Sequence, residues 1–258
     1  SNKVIINIDG MNINYIVEGE GNPVVVLHGW GANIETVMPI VNILKSSYQV
    51  YAIDLPGFGK SDEPYDVFGS FEYAEIIKKF IDHFKLEKIS LIGHSFGGKL
   101  SIIISSKYKD YVDKLVLIDS AGLIPKRTLS YHIKVKSYKL AKKLYKLFFF
   151  WKKEHEIAEI INKKFGSDDY RNSSGIMRKI LVKVVNEDLS YLLEEIECPT
   201  LLIWGDLDDA TPLYQAKIME EKIKNSGLVV LEGTEHFSYV EDYNKFALVL
   251  KSFFNIKQ

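Results

Sequence analysis

Short runs of apolar residues alternate along the chain with longer stretches in which apolar residues return every three or four positions. The first pattern predicts strands and the second amphipathic helices. Runs at 4–8 and 13–17 flank Asp9-Gly10, a pair suited to a two-residue hairpin turn, so the chain should open with antiparallel strands. Further runs at 24–27, 48–53, 89–92, 115–118, 201–204 and 228–231 show no polar alternation. Strands covered on both faces read this way, which predicts an α/β fold with a mostly parallel eight-stranded sheet flanked by helices. Helical periodicity covers about 71–85, 97–107, 212–224 and 240–254.

The alternation stops between about 125 and 195, where the only periodicity is helical, rich in Lys and Tyr, and broken at 166–169 and 171–175. Some 70 residues are too many for a crossover. The pattern predicts a core formed by 1–122 and 196–258, with an inserted all-helical cap over 123–195. Within the insert, Tyr138, Ala141, Leu144, Tyr145, Phe148 and Trp151 recur at spacings of three and four, with Lys136, Lys139, Lys142, Lys143 and Lys146 between them. Such a helix lays its aromatic side on something apolar.

Composition narrows the setting. With 47% hydrophobic and 26% charged residues, the chain is not disordered, collagen-like or coiled-coil. No run of about 18 apolar residues is present, so no transmembrane segment is expected. The one cysteine, Cys198, cannot close an intramolecular disulfide, and no charged-then-apolar leader opens the chain, which suggests the cytoplasm. A net charge of −1 argues against nucleic-acid binding. That average hides a split: residues 125–190 carry 16 Lys and Arg against 7 Asp and Glu, and the remainder 17 against 27. Lysine outnumbers arginine 30 to 3, a bias that weakens any functional reading of the basic insert.

The chemistry concentrates at strand ends. Gly93-His94-Ser95-Phe96-Gly97 joins the run at 89–92 to a helix. A serine on so sharp a turn needs small neighbours two residues away, and the turn lifts Oγ above the sheet edge beside the free N–H groups of the helix. His28-Gly29-Trp30-Gly31 follows the run at 24–27 and precedes another helix, and Asp54-Leu-Pro-Gly57-Phe-Gly59-Lys-Ser61 follows the next run. The latter reads as turn architecture. A nucleophilic serine needs a base and an orienting carboxylate. His132, His155 and His236 are the histidines after Ser95, and Asp206, Asp208, Asp209 and Asp119 are the carboxylates near strand ends. Neither metal-ligand spacing nor a phosphate-cradling loop is evident, so no metal and no cofactor are expected.

On these motifs and their order the chain resembles the α/β-hydrolase superfamily, over nearly all its length except the cap, and within it a serine esterase or lipase. The resemblance implies a triad of Ser95, Asp208 and His236. His236 lies in the loop after the last strand, and Asp208 fits strand-Gly-x-x-Asp followed by Pro212. Asp119 remains the other choice of acid, because some relatives take theirs from that strand. The amides of Trp30 and Phe96 would form the oxyanion hole. His28 and Gly29 would border the substrate pocket, the His28 ring being read as bonded to loop backbone. A serine at the turn sets the chain apart from haloalkane dehalogenases and epoxide hydrolases, which use aspartate there. His94 resembles esterases, whereas carbon–carbon bond hydrolases usually place asparagine before the serine.

The implied reaction is hydrolysis of a small or medium carboxylic ester through an acyl-enzyme. Carbon–carbon bond hydrolysis, or a slow-turnover receptor of the same fold, are the alternatives. Tyr138, Phe148 and Trp151 would then line an acyl pocket beneath the cap. The rival reading makes the basic insert a weak contact for anionic lipid or an acidic carrier protein.

Overall fold

The computed structural model describes residues 3–125, 129–148 and 175–257. One sheet holds β1 (Lys3–Ile8), β2 (Met11–Glu18), β3 (Pro23–Leu27), β4 (Gln49–Ile53), β5 (Ile89–His94), β6 (Val112–Ile118), β7 (Thr200–Gly205) and β8 (Ser226–Leu231). Their spatial order is β1-β2-β4-β3-β5-β6-β7-β8, with β2 antiparallel to β1 and β4 and every other pair parallel. The opening hairpin pairs Ile8 with Met11 across Asp9 and Gly10, both at positive φ (51° and 87°), as a two-residue turn requires.

Alternate residues of the central strands feed two apolar layers. Val24, Val26, Val116, Ile118 and Ile203 pack with α1 (Ile34–Leu44) and α8 (Tyr243–Phe253). Val25, Leu27, Leu115, Leu117, Leu202 and Trp204 face α2 (Ser70–His83), α3 (Phe96–Lys107) and α6 (Leu213–Lys222). Burial on both sides is why these runs lack polar alternation. The helix expected over 240–254 is instead two pieces, α7 (Ser238–Glu241) and α8. They are divided at Asp242 (ψ 62°), whose carboxylate accepts from the amide of Lys245.

β3 lies between β4 and β5, so the chain leaves β3 in one direction and returns past it in the other. Ligands of open α/β sheets bind at such a switch point, where the loops diverge and leave a crevice. The loop after β3 and the turn after β5 flank it.

Between β6 and β7 the insert contributes α4 (Leu129–Phe148) and α5 (Gly175–Val185). On α4, Tyr138, Ala141 and Tyr145 are half-buried, whereas Leu140, Leu144 and Leu147 are exposed. The covered face therefore runs along Tyr138 and Tyr145 and leaves out Leu144. The Phe148 side chain, Trp151 and His155 lie outside the described residues. α5 is different in kind. Met177, Ile180 and Val184, with Leu189, Leu192 and Leu193 beyond them, belong to the same apolar layer as α2 and α3. Polar clamps reinforce it: buried Lys99 donates to the carbonyls of Val184 and Glu187, and the Glu187 carboxylate accepts from Ser70 N (3.1 Å) and Oγ (2.8 Å). Residues 175–195, expected as part of the cap, thus share the main core.

Candidate active site

Ser95 closes β5 with φ 54° and ψ −116°. A non-glycine residue there costs about 1–2 kcal/mol, so neighbouring structure must hold it. Its amide donates to Ile118 O at 3.1 Å, and its carbonyl accepts from Gly98, Lys99 and Ala121. The flanking glycines are required sterically. A Cβ on Gly93 would stand 2.3 Å from Gly97 O, and one on Gly97 would stand 2.2 Å from Leu27 O. Phe96, the first residue of α3, has one of the four N–H groups that a helix leaves unpaired at its start.

His236 Nε2 stands 2.9 Å from Ser95 Oγ, and its Nδ1 stands 2.8 Å from Asp208 Oδ2. The three side chains, remote in sequence, form one hydrogen-bonded line. Asp208 is fully buried and well supplied with donors: Ala210 N and Thr211 N reach Oδ1 at 2.9 and 3.0 Å, and Thr211 Oγ1 reaches Oδ2 at 2.7 Å. Burial alone would raise its pKa, but hydrogen bonds from His236 and Thr211 hold it at about 2. An ionised Asp208 fixes the imidazole with its proton on Nδ1 and leaves Nε2 as the acceptor facing Ser95.

The neighbouring carboxylates do other work. Exposed Asp206 accepts from Gly233 N at 2.8 Å and ties the acid loop to the turn before His236. Asp209 is exposed. Asp54 accepts from the amides of Ile34 and Lys60 and from Asn14 Nδ2, holding three segments together. His28 is buried and committed to its loop: Nδ1–H donates to Gly29 O at 2.7 Å and Nε2 accepts from Leu55 N at 3.0 Å. Burial lowers its pKa to about 4. His132 lies on the exposed side of α4.

A cavity of about 360 Å³ opens over this line. Gly29, Trp30, Phe96 and Ser95 border it on one side, and Leu181, Val184 and Val185 of α5 on the other. Neither His28 nor Tyr138 is among the residues that line it. For His28 the cause is its ring, turned into the loop backbone. For Tyr138 it is that α5, not α4, supplies the described wall.

Three contributors escaped the sequence reading. Thr211 was hidden as a small residue before a proline. Lys99 looked like any charged residue on an amphipathic helix. The α5 wall residues carry an apolar periodicity that does not separate a pocket lining from a core.

A family model described as alpha/beta hydrolase fold matches residues 22–243. The chain belongs to the α/β-hydrolases. This α/β-hydrolase is 28% identical to the AB hydrolase superfamily protein YisY of Bacillus subtilis, over 92% of its own length and 93% of the relative's. It is 26% identical to a proline iminopeptidase of Saccharolobus solfataricus, covering 95% and 90% of the two chains. Among solved structures, an esterase from Exiguobacterium antarcticum superposes with a TM-score of 0.74 at 26% identity, covering 96% of this chain and 97% of that one. Among the described residues, no helix is long and apolar enough to cross a membrane, and no group of three or more His, Cys, Asp or Glu side chains is placed to hold a metal.

Proposed function

We propose that this α/β-hydrolase is a serine esterase acting on a small or medium carboxylic ester with an apolar acyl part. The observation that carries the reading is the Ser95–His236–Asp208 line at 2.9 and 2.8 Å, opening onto a largely apolar cavity. His236 takes the Ser95 proton as Oγ attacks the acyl carbonyl, and then gives it to the departing alcohol. Water activated by the same imidazole releases the acyl group. The amides of Trp30 and Phe96 receive the developing oxyanion, an interaction worth roughly 3–4 kcal/mol for each donor in such sites. The apolar wall of Leu181, Val184 and Val185 takes the acyl chain. The insert at 123–195 supplies the cap over a core of 1–122 and 196–258, with its 175–195 part also packed into that core. The single cysteine supports placing the enzyme in the cytoplasm.

The test is a panel of chromogenic esters with acyl chains of about two to sixteen carbons, read on wild type and Ser95→Ala. A prolyl anilide and a coloured dienoic ketone serve as amide and carbon–carbon arms. Ser95-dependent turnover of esters over both arms is expected. Preference for either arm would overturn the ester assignment, and one equivalent of product without steady-state turnover would favour the receptor reading.

A further inference from the structure

Two residues other than glycine take positive φ at the ends of adjacent strands: Ser95 (54°) after β5 and Asp119 (41°) after β6. The first is the proposed nucleophile. The second has no part in the reaction as written, yet it is wholly buried. A carboxyl with no exposed surface on left-handed backbone is unfavourable twice over, through strain and through desolvation.

Its contacts show what it joins. Asp119 Oδ1 accepts from Gly205 N at 2.9 Å, where the acid loop leaves β7. Oδ2 accepts from the hydroxyl of Ser238, two residues after His236. The Asp119 carbonyl lies 3.1 Å from Thr211 Oγ1, the hydroxyl that also reaches Asp208. The Asp208 carboxylate also disfavours ionisation of the Asp119 carboxyl. The titratable groups facing it are therefore Asp208 from the acid loop and Tyr239 from α7.

Two neighbouring buried carboxylates resist ionising together. Asp208 keeps the charge, because His236 and Thr211 supply donors to it. The remaining proton falls to Asp119, whose pKa burial lifts to about 9 against the hydrogen bonds from Ser238 and Gly205. Oδ1 accepts from Gly205 and Oδ2 from Ser238, so each oxygen is tied to one of the loops that carry Asp208 and His236.

We infer that Asp119 is a positioning residue: its carboxyl, bonded to Gly205 and Ser238, and its carbonyl, beside Thr211, hold the acid loop and the base loop in register against the strand next to the nucleophile. The inference rests on the Ser95–His236–Asp208 reading. Asparagine can replace this group, with its oxygen toward Gly205 and its amide toward a rotated Ser238 hydroxyl. Alanine cannot.

The experiment is the rate of fluorophosphonate labelling of Ser95 between about pH 5 and 10.5, which reads the catalytic line without requiring the natural substrate. Wild type, Asp119→Asn, Asp119→Ala and Asp208→Asn are compared. Lys99→Met serves as a control for a second cavity group, whose pKa burial lowers to about 8. At neutral pH, Asp119→Asn should label within about threefold of wild type, and Asp119→Ala about 100-fold or more slowly. Wild type should lose rate above about pH 9 as a second charge forms beside Asp208. That loss should vanish in Asp119→Asn and persist in Lys99→Met.

Near-normal labelling of folded Asp119→Ala would overturn the inference. So would an alkaline loss that survives in Asp119→Asn. A defect in Asp119→Asn as deep as that of Asp208→Asn would make Asp119 the ionised partner of His236 instead. Should Asp119→Ala fail to fold, the alkaline limb of Asp119→Asn decides alone. No labelling of wild-type Ser95 at any pH would refute the serine reading itself, and this inference with it.

Discussion

Gly97→Ala isolates the closest approach on which the proposed oxyanion hole depends. An alanine Cβ there would stand 2.2 Å from Leu27 O and 2.7 Å from His28 O, where ordinary contact begins at 3.4 Å. The end of β3 and the start of α3 would have to part by about 1 Å. The proposed donors, Trp30 and Phe96, sit on opposite sides of that gap, so the parting falls on their spacing. A 1 Å misplacement in a catalytic constellation costs about 100-fold in rate, and overpacking a tight site costs roughly 1–3 kcal/mol. For a chain of this size that lowers Tm by roughly 2–12 °C. Helix propensity makes the opposite prediction, because Gly→Ala inside a helix stabilises by about 1 kcal/mol. The sign of the Tm change therefore separates the two effects. Thermal melts and fluorophosphonate labelling are run beside Gly227→Ala, whose added Cβ meets nothing within 4 Å. A raised Tm with labelling within about threefold of wild type would refute the steric argument.

Four further outcomes are expected. Asp208→Asn should lower kcat by about three to four orders of magnitude, and Asp206→Asn, which disturbs only the Gly233 contact, by at most about tenfold; a deep loss in Asp206→Asn would move the acid. The pKa of Asp208 is lower folded than unfolded, so its ionisation adds stability above about pH 4 that disappears as pH falls toward 2; the urea midpoint of Asp208→Asn should accordingly approach that of wild type over this range, and an unchanged gap would contradict the sign. Val184→Phe should cut kcat/KM for long acyl chains by about tenfold or more while sparing acetyl esters, and an unchanged chain-length profile would remove α5 from the acyl pocket. Replacing Lys139, Lys142, Lys143 and Lys146 with glutamine should leave soluble-ester kinetics and vesicle sedimentation unchanged; loss of salt-sensitive binding to anionic vesicles would support the lipid reading of α4 instead.

What was legible in the sequence follows from what each signal measures. The runs around Val24–Val26 and Leu115–Ile118 were unmistakable because both of their faces are covered, leaving no polar position to blur them. Ser95 and His236 lie 141 residues apart, and their pairing could be expected only through the order of motifs after strands, with geometry then supplying the 2.9 Å contact. The choice among Asp206, Asp208 and Asp209 likewise rested on resemblance, since burial and donor count are properties of the folded loop. The positive φ of Asp119 leaves no trace in the chain, because aspartate does not announce left-handed backbone as glycine does. The packing of α5 leaves as little trace. The apolar positions of α5 have the same period whether they face a cavity, a cap or the main core.

The seam between core and insert has a consequence for recombination. Residues 175–195 interlock with α2 and α3 through Lys99, Glu187 and shared apolar packing. A chimera that exchanges inserts with a relative at residue 195 would carry away part of the recipient's own interior and strand a buried ammonium without its acceptors. Cutting near residue 174 keeps that wedge in place, so the modular unit of this enzyme is shorter than the interruption in its strand pattern.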